Sequence, residues 1–404
     1  MTGKQNTPEI RFEGFTDPWE QRKFSDMYVV NNERNANCEL GYDRTLSIAT
    51  MTFNGGNGAA DDSLSNYKVI RVGDIAFEGH TNKAHAYGRF VLNDTGDGLM
   101  SPRFSCLRPI VEQRYSFWKY YIPREESMRP ILVNATKSGT MMNELVSDDL
   151  MRESILVPCL AEQEVIGNSL SQLDHLITLH QRKYDKLCTV KKSMLDKMFP
   201  KPGETEPEIR FEGFTDPWEQ RKLGELIQLG GSGGTPSANN PDYYGGDIPF
   251  LSIADINGRD ITNTAKTLTD EGLQNSAAWI VPSGAVSLAM YASVGKVGII
   301  RQDTATSQAF YNMVFDNEAL RDFVFTRLEK AETDSEWEPY ISTGTQRNLN
   351  ADKVKSFSLD VPSNEEASEI SAYFANLDTL ITLHQRKLEL LRNIKKSLLD
   401  RMFV

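Results

Sequence analysis

Residues 173–199 read LDHLITLHQRKYDKLCTVKKSMLDKMF and return at 377–403 as LDTLITLHQRKLELLRNIKKSLLDRMF, with the same residue at 18 of 27 positions. In both copies apolar residues recur with the 3.5-residue spacing of a coiled coil over about five heptads. The pattern predicts two long helices that begin just after Pro158 and Pro362, where acidic residues occupy the first turn. Each helix would hold about 37 residues and be about 55 Å long.

The two apolar stripes are expected to pack against each other, because the sequence contains no third helix of this kind to cover them. Copies related by a two-fold axis and joined through a domain would pair antiparallel. One histidine per helix falls on the stripe, and without a second ligand four residues away it is expected to fix the register rather than to bind a metal. The predicted seam consists of Leu173, Ile177, His180, Leu187, Leu377, Ile381, His384, Leu388 and Leu391.

Two basic pairs, at 191–192 and 395–396, contribute to an excess of six basic over three acidic residues in each 27-residue repeat. We expect Lys191 and Lys395, which lie on the stripe near the helix ends, to extend their ammonium groups into solvent. The basic clusters form either a solvated face or a contact with DNA or a protein partner, and both alternatives stay open.

A second peptide, PEIRFEGFTDPWEQRK, occurs at 8–23 and again, identical at all sixteen positions, at 207–222. The chain is therefore a duplication with a period of about 200 residues, and a monomer with internal pseudo-two-fold symmetry is expected. By that symmetry, the first copy should lie at the C-terminal end of the second long helix. The predicted packing anchors are Phe12, Phe15 and Trp19, with their counterparts Phe211, Phe214 and Trp218.

Two unlike inserts, residues 24–156 and 223–360, separate the repeats, and in both of them short β-rich runs alternate with Gly, Asn and Pro. The expected fold class is α/β, with two α/β domains separated by a pair of long antiparallel coiled-coil helices. The predicted boundaries are 1–157 for the first domain, 158–200 for the central helix, 201–361 for the second domain and 362–404 for the distal helix.

Composition excludes several classes of protein. No apolar run approaches the roughly 18 residues of a membrane span, and the first ten residues lack the features of a signal peptide, so a cytoplasmic location is expected. The four cysteines lack metal-ligand spacing and are expected to be incidental thiols. The net charge of −12 opposes DNA binding, but it is uneven: residues 1–160 carry 18 basic and 21 acidic residues, and 201–360 carry 14 and 24. DNA contact would need a local patch or a partner's charges.

Candidate catalytic motifs are weak. GGSGGTPS at 230–237 is glycine-rich but lacks the GK[ST] of a phosphate loop, and we interpret it as a flexible loop. NPDYY at 240–244 differs from the Asn-Pro-Pro-aromatic motif of amino-methyltransferases by an aspartate, and no glycine-rich cofactor turn precedes it. Carboxylates such as Asp74 and Glu78 lack a lysine at the spacing of a nuclease site. No catalytic centre and no metal site are expected.

Several motifs occur in a duplicated order: WEQRK before each domain, GGTPS with YYGGDIPFLSIADI opening the second domain, MYASVGKVGI followed by TATSQA, GTQRNLNADKVKSFSLDVP, and the helical LDxLITLHQRK repeat. Together they resemble the specificity (S) subunits of type I restriction-modification enzymes over essentially the whole chain. The first domain departs from that pattern, since SIATMTFNGG matches only faintly, and it is expected to recognise a different half-site.

The resemblance implies two target-recognition domains, one for each half of a split double-stranded DNA target, with the helical pair as a ruler between them. It implies no catalysis by the chain itself and no cofactor bound to it. Two modification subunits would carry S-adenosylmethionine and methylate adenine, and restriction subunits would use ATP with Mg to translocate and cleave phage DNA. Two other classes remain: a coiled-coil scaffold without DNA specificity, and a self-contained nuclease or methyltransferase.

Base-reading side chains are expected among polar loop residues, because Asn and Gln suit adenine and Arg suits guanine. The candidates in the first domain are Asn54, Asn57, His80, Asn82, Lys83, His85, Tyr87, Arg89 and Lys137. Those in the second domain are Thr235, Ser237, Ser252, Asp255, Ser293, Lys296, Ser307, Gln308, Gln346, Arg347 and Asn348. Each of them could equally be an ordinary solvated loop residue.

Overall fold

The structure is a computed structural model that describes residues 6–55, 61–139, 142–341 and 347–404. The chain divides into two compact units, called here the first half (Met1–Leu179 with Leu388–Val404) and the second half (His180–Lys387). The two long helices each contribute to both halves. Every contact described below lies within one half.

The elements up to residue 197 are β1 (Glu20–Lys23), α1 (Phe24–Met27), β2 (Tyr28–Val30), β3 (Leu46–Ser47), β4 (Thr52–Phe53), β5 (Lys68–Ile70), β6 (Ile75–Glu78), β7 (Arg89–Leu92), β8 (Gly98–Met100), β9 (Cys106–Pro109), α2 (Tyr115–Tyr121), α3 (Glu125–Ala135), β10 (Thr136–Lys137), β11 (Glu144–Leu145), α4 (Ser147–Leu150), β12 (Ser154–Val157) and α5 (Leu160–Lys197).

The elements that follow are β13 (Glu219–Lys222), α6 (Leu223–Leu226), β14 (Leu229–Gly231), β15 (Tyr244–Phe250), β16 (Asp260–Ile261), β17 (Lys266–Leu268), α7 (Asp270–Gln274), β18 (Trp279–Val281), β19 (Val286–Ala289), β20 (Val297–Ile300), β21 (Thr304–Thr306), β22 (Phe310–Val314), α8 (Glu318–Thr333), α9 (Ala351–Ser356), β23 (Ser358–Val361) and α10 (Asn364–Met402).

Helices α5 and α10 agree closely with the two helices predicted from the repeats. In the first half, the start of α5 packs against the end of α10, with Ile166 and Leu170 in one core with Met402. In the second half, the end of α5 packs against the start of α10, with Leu195 in one core with Phe374. Opposite ends meet in both halves, so the helices are antiparallel, as predicted.

His180 and His384 face each other across the helices of the second half, with their Nδ1 atoms 2.8 Å apart. Only one of these nitrogens can donate, so the other must accept. Burial, together with the charges of His180, Lys183 and Lys387, lowers the pKa of His384. Among the described residues, no three potential metal ligands lie together.

The expectation that Lys191 and Lys395 extend into solvent was wrong. Lys191 is buried and its Nζ lies 2.5 Å from Asp378 Oδ1 and 2.6 Å from Glu329 Oε1. In the first half, Lys395 Nζ lies 2.6 Å from Asp174 Oδ1. Antiparallel pairing places the aspartate near the start of each repeat beside the lysine near the end of the other. The ammonium groups therefore form ion pairs across the helices.

Each copy of the PEIRFEGFTDPWEQRK peptide, at 8–23 and 207–222, lies at the end of a long helix, as predicted; we call this contact a joint. At the first joint, the Ile10 amide donates to the Arg401 carbonyl at 3.0 Å, and Trp19 packs edge-on against Phe403. The buried Trp19 thus packs the peptide at 8–23 against the C-terminal end of α10.

The second joint repeats this geometry. The Ile209 amide donates to the Lys197 carbonyl at 2.9 Å, and Trp218 packs edge-on against Phe199. Phe12 and Phe211 join the adjoining cores, as the symmetry predicted. The other predicted anchors, Phe15 and Phe214, are half-buried and are not among the residues that form these cores.

The two domains share the order of their central strands. The first has β2-β9-β6-β7 and the second has β14-β22-β19-β20, with antiparallel neighbours in both. Strand β16 extends the second sheet. Outside the central sheets, β5 pairs antiparallel with β8 in the first domain, and β18 pairs antiparallel with β21 in the second, within a four-stranded sheet of order β17-β15-β21-β18. The expected α/β fold class is confirmed. All four cysteines are free, and no helix in the described ranges has the length and hydropathy to cross a bilayer.

Candidate nucleic-acid interface

A tight turn between β8 and β9 presents an arginine at the surface of the first domain. The Phe104 amide donates to the Ser101 carbonyl at 3.2 Å, which places Pro102 and Arg103 at the centre of the turn. Proline suits the first central position because its fixed φ matches that of the common turns. Arg103 is exposed. Sequence reasoning missed this residue, although the SPRF turn between two strand-like runs was a usable signal.

The second domain has an equivalent turn between β21 and β22. The Phe310 amide donates to the Ser307 carbonyl at 3.3 Å, and the exposed Gln308 lies at the centre of the turn. Gln308 Oε1 accepts from Thr235 Oγ1 at 2.9 Å, and Ser307 Oγ accepts from the Ala309 amide at 3.2 Å. The structure thus brings together three of the predicted residues: Thr235, Ser307 and Gln308.

Two adjoining cavities, of about 490 and 330 Å³, open beside the turn of the first domain. His80, Arg103 and Phe104 line both of them, and Asn54 lines the smaller one. We call this concave surface the Arg103 cleft. It unites two predicted residues, Asn54 and His80, with the unpredicted arginine.

A buried glutamate orients His80 at the wall of the cleft. Glu78 Oε1 lies 2.5 Å from His80 Nδ1 and accepts the His80 backbone amide at 3.1 Å. The carboxylate accepts hydrogen bonds, so Nδ1 carries the proton and Nε2 is left for an outside partner. Arg89 Nη2 donates to the Ala49 carbonyl at 2.6 Å, and its Nε lies 3.6 Å from Glu78 Oε2. Arg89, one of the predicted residues, therefore stabilises the wall of the Arg103 cleft.

Three other predicted residues of the first domain make contacts within the domain. Asn82 Oδ1 accepts the amides of Ala84 and His85, which closes a local turn. The His85 side chain is 19% exposed and its Nδ1 lies 3.6 Å from Glu125. Tyr87 packs against the core. These contacts favour a role for the three residues in shaping the loop. Another candidate, Asn57, lies outside the described residues.

Most basic side chains of the first insert are engaged within the domain. Arg108, for example, lies 2.9 Å from Asp74 and 2.7 Å from Glu33. Within the described part of residues 24–156, the side chains of Lys83, Arg103 and Lys137 form no ion pair and no hydrogen bond. In the described part of this insert, these three residues therefore carry the positive charge without an intramolecular partner, and two of them were predicted from the sequence.

The remaining candidates of the second domain fall into two groups. Ser252 and Asp255 form a capping box around the 3-10 turn Ile253–Asp255, and Asp255 Oδ1 also accepts the Ala265 amide at 3.0 Å. These two residues stabilise a loop. Ser237 is exposed, and no hydrogen bond within the described ranges joins its side chain to the turn.

A ladder of backbone hydrogen bonds leads from the turn of the second domain to the other group. Met290 donates to the Ala309 carbonyl at 2.8 Å, Leu349 donates to the Met290 carbonyl at 2.9 Å, and Tyr291 bridges to Asn348. Asn348 therefore lies at the same end of the central sheet as Gln308. Three further candidates lie on loops: the exposed Ser293, the half-buried Lys296, and Arg347, which pairs with Glu338. Gln346 lies outside the described residues.

Residues 215–393 match the family model described as the type I restriction modification DNA specificity domain. The chain is 27% identical over 191 residues to the type I restriction enzyme MjaIX specificity subunit of Methanocaldococcus jannaschii. It is 28% identical over 150 residues to the HindI specificity subunit of Haemophilus influenzae. These matches cover 46% and 37% of this chain and only 44% and 32% of the two relatives.

A longer match, 21% identical over 425 residues, covers 98% of this chain and 95% of the putative MjaX specificity subunit of M. jannaschii. The fold is similar to the crystal structure of a type I restriction-modification S subunit from M. genitalium, with a TM-score of 0.61 and 14% identity. That similarity covers 98% of this chain and 99% of the other. Residues 215–393 thus match the DNA specificity domain of type I restriction-modification systems, and over nearly its whole length the chain is similar in sequence and fold to type I specificity subunits.

Proposed function

We propose that this chain is the DNA-reading subunit of a type I restriction-modification complex, in which each domain reads one half of a split target. The supporting observation is the pair of domains with one strand order and equivalent joints but different side chains on the matched turns. Gln308 occupies the turn of the second domain, and Arg103 that of the first. Domains mounted alike but with different contact residues suit the reading of two unlike half-sites.

The catalytic steps belong, in this proposal, to partner subunits in the cytoplasm. Two modification subunits bind S-adenosylmethionine and methylate adenine within the recognised site. Restriction subunits use ATP and Mg to translocate and cleave unmodified DNA. This chain supplies specificity alone, and the length of α5 and α10 sets the gap between the half-sites.

The acidic charge of the chain is compatible with this role. A protein that holds DNA by itself requires many phosphate contacts from lysine and arginine. In the described part of the first insert, most basic side chains have intramolecular partners, so this domain supplies mainly base contacts and the modification subunits supply most of the phosphate contacts. We therefore expect weak DNA binding by the chain alone and tight, salt-sensitive binding by the assembled complex.

Methylome sequencing tests the proposal directly. Cells that lack other adenine methylation would express this chain together with its modification subunit. The expected result is one split motif with two specified halves and an unspecified gap, and the motif disappears when this chain is omitted. Methylation without sequence preference, or equal methylation with and without the chain, would reject the proposal in favour of a scaffold.

A further inference from the structure

We propose that the matched turns are specificity-determining positions: Arg103 contacts a guanine in one half-site, and Gln308 contacts an adenine in the other. This inference rests on the proposed function and adds the two residues that read bases. Each turn leads from a strand outside the central sheet, β8 or β21, into a corresponding strand of that sheet, β9 or β22. Arg103 is the third residue of its turn and Gln308 the second, so the two side chains lie one position apart on corresponding turns.

The turn of the first domain is held rigidly. Lys68, which is 8% exposed, donates from Nζ to the Phe104 carbonyl at 2.9 Å. One residue on, the Ser105 carbonyl accepts the Phe77 amide from the neighbouring strand at 2.9 Å. A base-reading side chain on such a rigid turn binds more specifically, because little conformational entropy of the turn is lost on binding.

The guanidinium of Arg103 is free to bind a ligand and is partly oriented. Its Cζ lies 5.1 Å from the centre of the Phe104 ring, a cation–π contact. In contrast, Arg71 of the same domain is held between Glu33 and Asp97 at 2.5 and 2.8 Å. A planar guanidinium can donate two parallel hydrogen bonds to O6 and N7 of guanine in the major groove. Lysine at the same place could supply only a point charge.

Gln308 has the hydrogen-bonding capacity that adenine requires. Its Oε1 accepts one bond, from Thr235 Oγ1 at 2.9 Å. A carbonyl oxygen has two lone pairs, so Oε1 can still accept from adenine N6 while the amide nitrogen donates to N7. Thr235 limits the rotation of the amide and so helps to present this face.

The decisive experiment compares three variants of the full chain, each expressed with the modification subunit: Arg103→Gln, Gln308→Ala and Arg152→Gln. Arg152 is an exposed arginine of the same domain, paired with Asp149 at 3.2 Å, and serves as the control. Arg103→Gln should lower the preference for one guanine by about 5- to 150-fold and leave the other half-site unchanged. Gln308→Ala should relax an adenine in the other half, and Arg152→Gln should change nothing.

The readout is the fraction of each single-base variant of the motif that is methylated. If an altered complex methylates nothing, competition binding of the purified complex to duplexes changed in one half-site replaces that readout. The inference is overturned if Arg103→Gln retains the guanine preference, if both variants affect the same half, or if the affected half contains no G·C pair. A wild-type complex without any split motif would instead reject the proposed function itself.

Discussion

Lys395 and Lys191 occupy equivalent positions in the two helical repeats, but the domains meet them differently. In the first half, Asp174 uses both carboxylate oxygens: Oδ1 pairs with Lys395 at 2.6 Å, and Oδ2 accepts from Tyr120 Oη at 2.7 Å. In the second half, Lys191 lies between two carboxylates, those of Asp378 and Glu329. The helix supplies the same ion pair in both halves, and each domain adds its own third group.

The second cluster is the more buried of the two and the less well satisfied. Glu329 Oε2 and Asp378 Oδ2 are buried without a hydrogen-bond partner among the described residues. Burial raises the pKa of Glu329, and the two carboxylates outweigh burial to raise the pKa of Lys191. The same helical ion pair can thus be combined with two unlike domains, but the stability lost when its lysine is replaced depends on the domain.

Replacing Lys191 should have the largest effect. Lys191→Met removes the ammonium from between two carboxylates that are 15% and 28% exposed, so the free energy of unfolding should fall by about 3 kcal/mol, the lower end of the range for breaking a buried pair. The matched variant Lys395→Met should cost about 0.2–1 kcal/mol, because Lys395 and Asp174 are 24% and 38% exposed. Urea denaturation of both variants at neutral pH measures the difference. Equal losses would show that the two clusters are equivalent after all.

Equivalent substitutions at the two joints should cost the same stability, whereas those at Lys191 and Lys395 should not. Arg11 pairs with Glu162 at 2.7 Å and Arg210 pairs with Glu366 at 2.7 Å, and each arginine is 14% exposed. Arg11→Met and Arg210→Met each leave a buried glutamate unpaired. We expect each variant to lose about 2–3 kcal/mol, below the range for fully buried pairs because solvent reaches the guanidinium. Denaturation curves with clearly unequal losses would break the equivalence of the joints.

Removing the Tyr120 hydroxyl tests the third group that the first domain adds to the ion pair of Lys395 with Asp174. Tyr120→Phe should cost about 0.5–1.5 kcal/mol, the usual value of one hydrogen bond. Tyr120 Oη and Lys395 Nζ both contact Asp174, and the Tyr120 ring lies 5.1 Å from Lys395 Nζ. The losses of unfolding free energy caused by Tyr120→Phe and Lys395→Met should therefore not be additive. A double-mutant cycle in urea measures the coupling, and strict additivity would contradict a shared cluster.

The parts of the fold that repeat within the sequence were the parts that could be predicted. Helices α5 and α10 follow from an apolar period that local sequence carries in full. The joints follow from symmetry, because identical peptides next to equivalent helix ends must find equivalent contacts. Packing of Trp19 on Phe403 and of Trp218 on Phe199 confirms that inference.

Features that depend on tertiary neighbours could not be predicted in the same way. Lys191 was expected to reach solvent, since its partner Glu329 comes from a distant helix of the second domain. The glycine-rich stretch at 230–237 was interpreted as a flexible loop. However, a Cβ on Gly233 would lie 1.9 Å from the Thr306 carbonyl oxygen, and one on Gly234 would lie 2.8 Å from the Ala277 side chain. Those glycines permit close packing, and no local pattern indicates what they pack against.

The smallest expected effect concerns acid sensitivity, which the histidine pair should confer on the second half. Burial, then His180 and the nearby Lys183 and Lys387, lower the pKa of His384 below its usual value of 6.5. A histidine with a lower pKa in the folded state binds fewer protons when folded than when unfolded. Its contribution to stability is therefore complete above about pH 6.5 and is lost as the pH falls below that value.

His384→Gln keeps an amide that can hydrogen-bond to His180 but cannot become charged. The loss of stability between about pH 7.5 and about pH 5.5 should therefore be smaller in this variant than in the wild type, as measured by urea denaturation at both pH values. His175→Gln, at an exposed position of α5, is the matched control and should follow the wild type. If all three proteins lose the same stability, the contact at 2.8 Å between the Nδ1 atoms does not titrate with folding, and the two halves do not differ in acid sensitivity.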